Sequence, residues 1–409
     1  MNVKINRISK SSAPFLSGAV AIFLAVAIIS SPEASFQASL GGVKLWWNLV
    51  FPALLPFLIL SEMLTASGFV HGIGVLLEPL MRKIFRLPGA GAWTLVQGLT
   101  AGFPSGAQGV LQLHKQGSVS DKEAGRLAAL VHFGSPVTLL IVVGVAFLHS
   151  PATGYGLLAI HWISGLLSGL TAGYIGRRRS DSTEHPPSVA SDNISHTSLY
   201  RRVLGAAIKA HSEDGRNFGR LLGESVTNSV QSLMIVGGYM IIFSVITSII
   251  LRLFPALPTA LPAGILEIHL GAQSLTDGAA VIIPIWNGTL KIALLSAALA
   301  WSGICSQLQV LTILKPVGIS YLPFAGVRLL HASYAYLLTI LLWKPLMTLH
   351  EEALPAFAAP GTFDPWNLRL MSIWSTFPVW LTLQAALLLL LFLLSVILSL
   401  FSALKRGSN

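Results

Sequence analysis

Seven apolar runs, at 13–30, 46–66, 127–148, 154–176, 228–251, 320–343 and 374–402, dominate the chain. Each reaches or approaches the roughly 20 residues that a helix needs to cross a hydrocarbon core. They are continuous rather than alternating, which excludes a transmembrane β-barrel built from strands of about 10 residues. Charged side chains make up only 10% of the 409 residues, against about 25% in soluble domains. The sequence therefore predicts an all-α polytopic membrane protein.

The net charge of +10 would suggest nucleic acid as a partner in a soluble chain. Here the basic residues cluster in short loops: Arg82, Lys83 and Arg86, the run Arg177 to Arg179, Arg201 and Arg202, and Lys405 and Arg406. Such clusters mark the cytoplasmic ends of spans, and no aromatic-basic module accompanies them. With one cysteine and no CxxC, HExxH, GxxxxGK[ST] or GxSxG pattern, there is no motif for a metal centre, an NTPase loop or a serine hydrolase. The expectation is a non-enzyme without metal or cofactor.

Following the basic loops gives one path. Lys4, Arg7 and Lys10 precede the first run and keep the N-terminus inside. The stretch Ser30 to Glu33 is a poor signal-peptide cleavage site. A span returns at 46–66, so 90–113 lies between two cytoplasmic charged loops and must enter and leave on one side as a re-entrant hairpin. Spans at 127–148 and 154–176 follow. The polar segment 180–217, with Pro186 and Pro187, is too hydrophilic to insert and reads as a linker.

Beyond it, 228–251 crosses outward and 262–286, holding Glu267, Gly271 and Asp277, reads as a second hairpin entered from outside. Runs at 289–314 and 320–343 cross, an acidic outer loop carries Glu351, Glu352 and Asp364, and the last span ends inside. The expected architecture is about eight spanning helices plus two re-entrant hairpins, with both termini cytoplasmic. Its units are an N-terminal helix and loop (1–45), a first repeat (46–176), a linker (177–227), an inverted second repeat (228–343) and a C-terminal loop and helix (344–409).

Two echoes support the repeat. Ala128-Ala129-Leu130 with Gly134 aligns with Ala297-Ala298-Leu299 with Gly303, and Gly106-Ala107-Gln108 with Gly271-Ala272-Gln273. Inverted repeats with interrupted helices point to a secondary transporter whose site lies where the broken segments meet.

Several side chains could carry chemistry. Gly98, Gly102 and Gly106 recur every four residues beside Pro104, so their strip serves either close packing or ligation by exposed backbone. Gly165, Gly169 and Gly173 read as packing, and His161 on the same face as a histidine bonded to a neighbouring helix, with a proton relay as the alternative. Glu267, with only His269 near it, must be protonated, paired or ion-bound, and such acids usually mark pathways. Glu62 and Lys291 could snorkel to the interface. Glu224, Asn228 and Gln231 form a polar stripe suited to an aqueous path. Arg328, His331 and Tyr334 share a helix face. The arginine needs a partner, either Glu267 or an anionic substrate, because a guanidinium binds carboxylates bidentately.

The segments Phe51 to Phe57, Gly68-Phe69, Leu77 to Arg82, Phe85 to Gly89, Gly102 to Ala107, His132 to Pro136, Leu266-Glu267 with Gly271 to Gln273, and Arg328 to Ala332 together resemble the YlbJ family of sporulation integral membrane proteins. That family carries nucleoside-recognition Gate domains similar to parts of concentrative nucleoside transporters. The resemblance covers about residues 45–345. It implies a protein of the outer forespore membrane that moves dipicolinic acid, pyridine-2,6-dicarboxylate, from the mother cell toward the forespore.

The family pattern often has a basic residue after Gly106-Ala107, where this chain has Gln108, so no charge contact carries over there. The expected substrate-binding residues are Arg328, His331, Gly102, Ser105, Gly106, Gln108, Glu267 and Gln273. The expected partners are a small anion, the lipid bilayer and a coupling ion, with no nucleic acid and with homo-oligomerisation compatible. Two other functions fit the same residues: an ion-coupled nucleoside transporter, and a membrane assembly factor for spore cortex without flux of its own.

Overall fold

The computed structural model describes residues 3–178, 198–276 and 288–353, with scattered positions 389, 390, 393, 396 and 397. All regular structure among these residues is helical. Five helices are long and apolar enough to cross a membrane: Pro32–Ala66, Pro151–Tyr174, Phe218–Leu253, Gly288–Ile313 and Tyr321–Thr348. Two shorter apolar helices, Ser17–Ile29 and Thr138–Phe147, accompany them. Asp277, Asp364, most of the last expected span and Lys405 lie outside the described residues.

The chain opens with α1 (Val3–Ile29) and α2 (Pro32–Leu45). The latter runs without interruption through a π-helical turn at Trp46–Val50 into α3 (Phe51–Ala66). The second span therefore begins at Pro32 rather than at 46, because Pro at the first helical position starts a helix readily. Next come α4 (Phe69–Leu80), α5 (Ala92–Ala101), α6 (Phe103–Lys115) and α7 (Asp121–Leu130). Ser120 and Glu123 cap α7 reciprocally, satisfying two of its orphan amides.

After an unwound stretch, a π-helical segment spans Thr138–Phe147, and α8 (Pro151–Arg178) completes the first half. Within the expected linker, Leu199–Asp214 form α9. This helix seats on the turn between α3 and α4, where a β-carbon on Gly68 (φ +79°) would lie 2.0 Å from the Ala207 carbonyl oxygen. Arg202 pairs there with Glu78 at 2.7 Å. The second half contains α10 (Phe218–Leu253), α11 (Ala260–Leu266), α12 (Ile268–Thr276), α13 (Gly288–Trp301), α14 (Gly303–Ile313) and α15 (Tyr321–Ala353).

Both expected hairpin stretches fold back on themselves. Gly98 and Gly106 flank Gly102 by one helical turn each, and a straight helix would hold them about 12 Å apart. Instead a β-carbon on Gly106 would lie 3.3 Å from the Gly98 Cα, and one on Gly109 would meet Gln97 and Thr94. Only an antiparallel pair with its tip at Gly102 (φ +90°) does this. In the second half a β-carbon on Gly271 would lie 2.4 Å from the Gly264 Cα, folding α11 onto α12 with the tip at Glu267.

Two expected continuous spans are broken. The run 127–148 is helical only to Leu130 and resumes at Pro136, with Val131 to Ser135 unwound. Pro136 disfavours helix in the residue before it. The run 289–314 breaks at Ser302 and Gly303, both left-handed (φ +67° and +76°). Each hairpin tip sits in the break of its own half. A β-carbon on Gly102 would lie 3.0 Å from the Ser135 Cβ, and one on Gly303 would lie 2.9 Å from the Glu267 Cα. The two sequence echoes fall at matching places. Gly106 and Gly271 each stand four residues past a tip, and the Ala-Ala-Leu triplets end the first limb of each broken helix.

Candidate functional site

The breaks meet each other in the centre. His132 Nε2 lies 2.8 Å from Ser302 Oγ, joining break one to break two. Beneath them, Arg328 is 1% exposed. Its Nη1 donates to the His132 carbonyl at 2.6 Å, and its Nη2 donates to the Ala129 carbonyl. The C-terminal carbonyls of a helix have no intrahelical partner and carry partial negative charge. Arg328 thus caps α7 where the chain unwinds.

His331 Nδ1 lies 3.1 Å from Arg328 Nη1, and His331 Nε2 donates to the His161 carbonyl at 3.0 Å. His161 Nε2 in turn accepts from the Gly134 amide at 2.9 Å. These histidines hold the backbone of the break, and Tyr334 bonds Thr171 at 2.9 Å. Glu267, one of the two partners expected for Arg328, is not bonded to it. Glu267 instead pairs with His269, its Oε1 2.8 Å from His269 Nδ1, while its Oε2 accepts from the Leu270 amide at 2.7 Å.

A cavity of about 950 Å³ opens beside the tips. Hairpin one supplies Gln97, Gly102, Ser105 and Gln108, and hairpin two supplies Ile268 and His269. The second limbs of the broken helices contribute Ser135 and Thr138 on one side and Gln309 and Thr312 on the other. The polar stripe reaches it through Asn228 and Gln231 of α10. Of the expected site residues, Gly102, Ser105 and Gln108 line this cavity. Gly106 packs inside hairpin one, Glu267 backs the wall through His269, Gln273 lies off the lining, and Arg328 and His331 sit in the core.

Ser135, Thr138, Gln97 and Gln309 were not singled out from sequence, although Ser135 stands within the His132 to Pro136 motif. Ser135 and Thr138 recur at three-residue spacing, and Gln309 follows Ser306 and Gln307 closely, so small polar clusters inside apolar runs were the signal available in the sequence. Gln97 Oε1 and His269 Nε2 are buried and find no partner among the described residues.

The polar end of the cavity is lined by one ion-pair cluster. Arg216, between α9 and α10, binds Asp214 through Nε (2.8 Å) and Nη2 (2.7 Å) and reaches Glu62 and Glu224 at 3.2 Å each. Asn228 donates to Glu62 at 2.9 Å. The Arg216 guanidinium holds the Asp214 carboxyl below its usual range, and Asp214 raises Arg216. A depressed carboxyl stabilises the folded cluster above its unfolded value, about 3.9. The contribution disappears as pH falls through the lower folded value. The cluster should therefore stay paired through mild acid.

Arg216→Ala is expected to speed labelling of Ser61→Cys, which lines the cavity, by an impermeant thiol reagent several-fold at neutral pH. The native Cys305 is buried and gives no background. Equal labelling rates would show that the cluster does not restrict entry.

Among known families, the one described as Nucleoside recognition (Gate) matches residues 48–152. That segment runs from α3 through hairpin one to the first broken helix. The Sporulation integral membrane protein YlbJ of Bacillus subtilis (strain 168) is 36% identical over 347 residues, covering 80% of this chain and 82% of that protein. No solved structure matches.

Proposed function

The chain belongs to the family of the sporulation integral membrane protein YlbJ, and from that membership we propose that it transports dipicolinic acid from the mother cell toward the forespore by alternating access. The observation that carries this reading is the cavity at which both hairpin tips and both broken helices converge, the arrangement of a secondary-transport site. In this reading the hairpins are re-entrant from opposite faces, eight helices span, both termini are cytoplasmic and the protein resides in the outer forespore membrane.

A planar dicarboxylate needs donors. The first turn of α6 begins at Phe103, directly after the Gly102 tip; Pro104 has no amide hydrogen and the Gly106 amide bonds the Gly102 carbonyl, which leaves the Phe103 and Ser105 amides without an intrahelical acceptor where helix N-termini favour anions. Ser105 and Gln108 on the same turns line the cavity and add side-chain donors. Arg328 acts from behind, by holding break one in place for the tip to nest in.

A nucleoside reading competes on one observation. The inner lining of Gln97, Gln108, Gln309, Ser135 and Thr138 is neutral and rich in paired donor-acceptor groups, which suits a polar uncharged solute. Proteoliposomes separate the two. Wild type is expected to exchange labelled dipicolinate against internal dipicolinate and not against uridine. Replacing Ser105 and Gln108 together by alanine is expected to lower apparent affinity about tenfold or more, from two lost bonds of about 1 kcal/mol each. Uridine exchange would establish the nucleoside reading, and absence of both would point to the assembly role.

A further inference from the structure

The Glu267–His269 pair has a feature that solute binding alone does not use. Both side chains are nearly fully buried, at 1% and 5% exposure. The carboxylate is tied at both oxygens, to His269 Nδ1 and to the Leu270 amide. That geometry orients the ring with Nδ1–H donated to Glu267, leaving the Nε2 lone pair. Nε2 has no partner among the described residues, and His269 lines the cavity. A carboxylate that orients a histidine and stabilises its cationic form is a proton acceptor in waiting.

We propose that Glu267 and His269 form the proton site that couples solute movement through this cavity to a proton, a reading that rests on the transport function above. The chemistry balances. A hydronium ion gives its proton to the Nε2 lone pair, its O–H bond breaking to leave water, while the Nδ1–H bond to Glu267 stays, so the dyad passes from a net charge of −1 to neutral. An anion entering the cavity is repelled by the first state and accepted by the second. By reciprocity, anion binding draws the proton in.

The titratable groups facing the dyad are few. Gly303 of α14 stands against Glu267, and Cys305 on that helix feels its charge. His132 is bonded at neighbouring Ser302. Tyr239 of α10 faces the same cavity, and Glu62, Glu213, Asp214 and Arg216 occupy its polar end. None of them is hydrogen-bonded to His269 Nε2.

The test uses full-length protein in liposomes, with potential clamped and the interior about one pH unit more alkaline. At one proton per solute, wild type is expected to accumulate labelled dipicolinate about tenfold over the outside level. His269→Gln leaves the site fixed at −1, so it is expected to lose the accumulation and to show counterflow that is weaker than wild type and no longer varies with pH. Undiminished accumulation in that variant, or mere equilibration by wild type, would overturn the proposal while leaving transport standing.

Should wild type show no counterflow at all, the transport reading fails separately, and the proton site is read directly. In ¹⁵N-histidine spectra of the purified protein, the signal missing in His269→Gln is expected to show a ring protonated at Nδ1 that gains an Nε2 proton on acidification. Glu267→Gln is expected to change that response. A His269 signal that stays in one form on acidification would overturn the dyad outright.

Discussion

Arg328→Ala is expected to destabilise the protein by about 3 to 5 kcal/mol, more than any other single polar substitution in the core. Two carbonyls at the end of α7, Ala129 and His132, lose the donor that satisfies them. Buried orphan acceptors cost about 1 to 3 kcal/mol each. Arg328→Lys should recover only part of this, because an ammonium cannot present the planar fork that spans two carbonyls. By contrast Trp46→Phe, which removes one bond from Nε1 to the Leu233 carbonyl at 2.9 Å, should cost about 1 kcal/mol.

Thermal unfolding in detergent checks the series. Flux lost in Arg328→Ala has to be read against the folded fraction. A variant with wild-type unfolding and no dipicolinate exchange would mean that the guanidinium contacts the solute rather than capping the break.

Gly271→Ala and Gly98→Ala are expected to abolish exchange and to destabilise by about 3 kcal/mol or more. The new methyl on Gly271 meets the Gly264 backbone at 2.4 Å, and that on Gly98 meets the Val131 carbonyl oxygen at 2.2 Å. Backbone cannot swing aside as a side chain does, so the limbs must separate, beyond the usual 1 to 3 kcal/mol of overpacking. Separation lifts each tip out of the break it nests in, and the cavity loses one wall. Gly238→Ala on α10 is the control. A β-carbon there meets nothing within 4 Å, and helix propensity makes the change neutral or stabilising by up to about 1 kcal/mol. If all three variants unfold and exchange alike, the tight crossings are not what holds the hairpins.

The packing strip Gly165, Gly169 and Gly173 behaves as its spacing suggests. β-Carbons at the first two would meet Phe133 and Leu130 side chains at 2.2 and 2.3 Å, so α8 lies against the break and the end of α7. His161 on that face is bonded to the neighbouring segment, as its position implied. The fold-back of 90–113 was legible because charge on both flanks confines an apolar stretch to one side. Gly106 and Gly271, paired as a sequence echo, each stand where the two limbs of a fold-back cross.

The breaks at 131–135 and 302–303 were not legible. Apolar composition is the same in a straight span and a broken one, and Ser302 takes a left-handed backbone that no local pattern announces. Arg328 was singled out because burying an arginine demands a partner, and the demand was correct. The partner was a pair of backbone carbonyls, which every residue carries and no sequence pattern marks. Glu267 found the one neighbour two residues away that its local sequence offered.

By itself, then, the sequence determined the helical membrane class, the two fold-back points and the existence of buried polar side chains in need of partners. Hydropathy, loop charge and residue spacing act over a few turns of chain and can be read there. Only the tertiary structure decided which tip nests in which break, that Arg328 closes a helix end, and that Gln97, Ser135, Gln309 and His269 face one cavity. Those pairings join segments up to about 200 residues apart, and at that range the chain's path, rather than its local pattern, sets which groups come within the roughly 3 Å of a hydrogen bond.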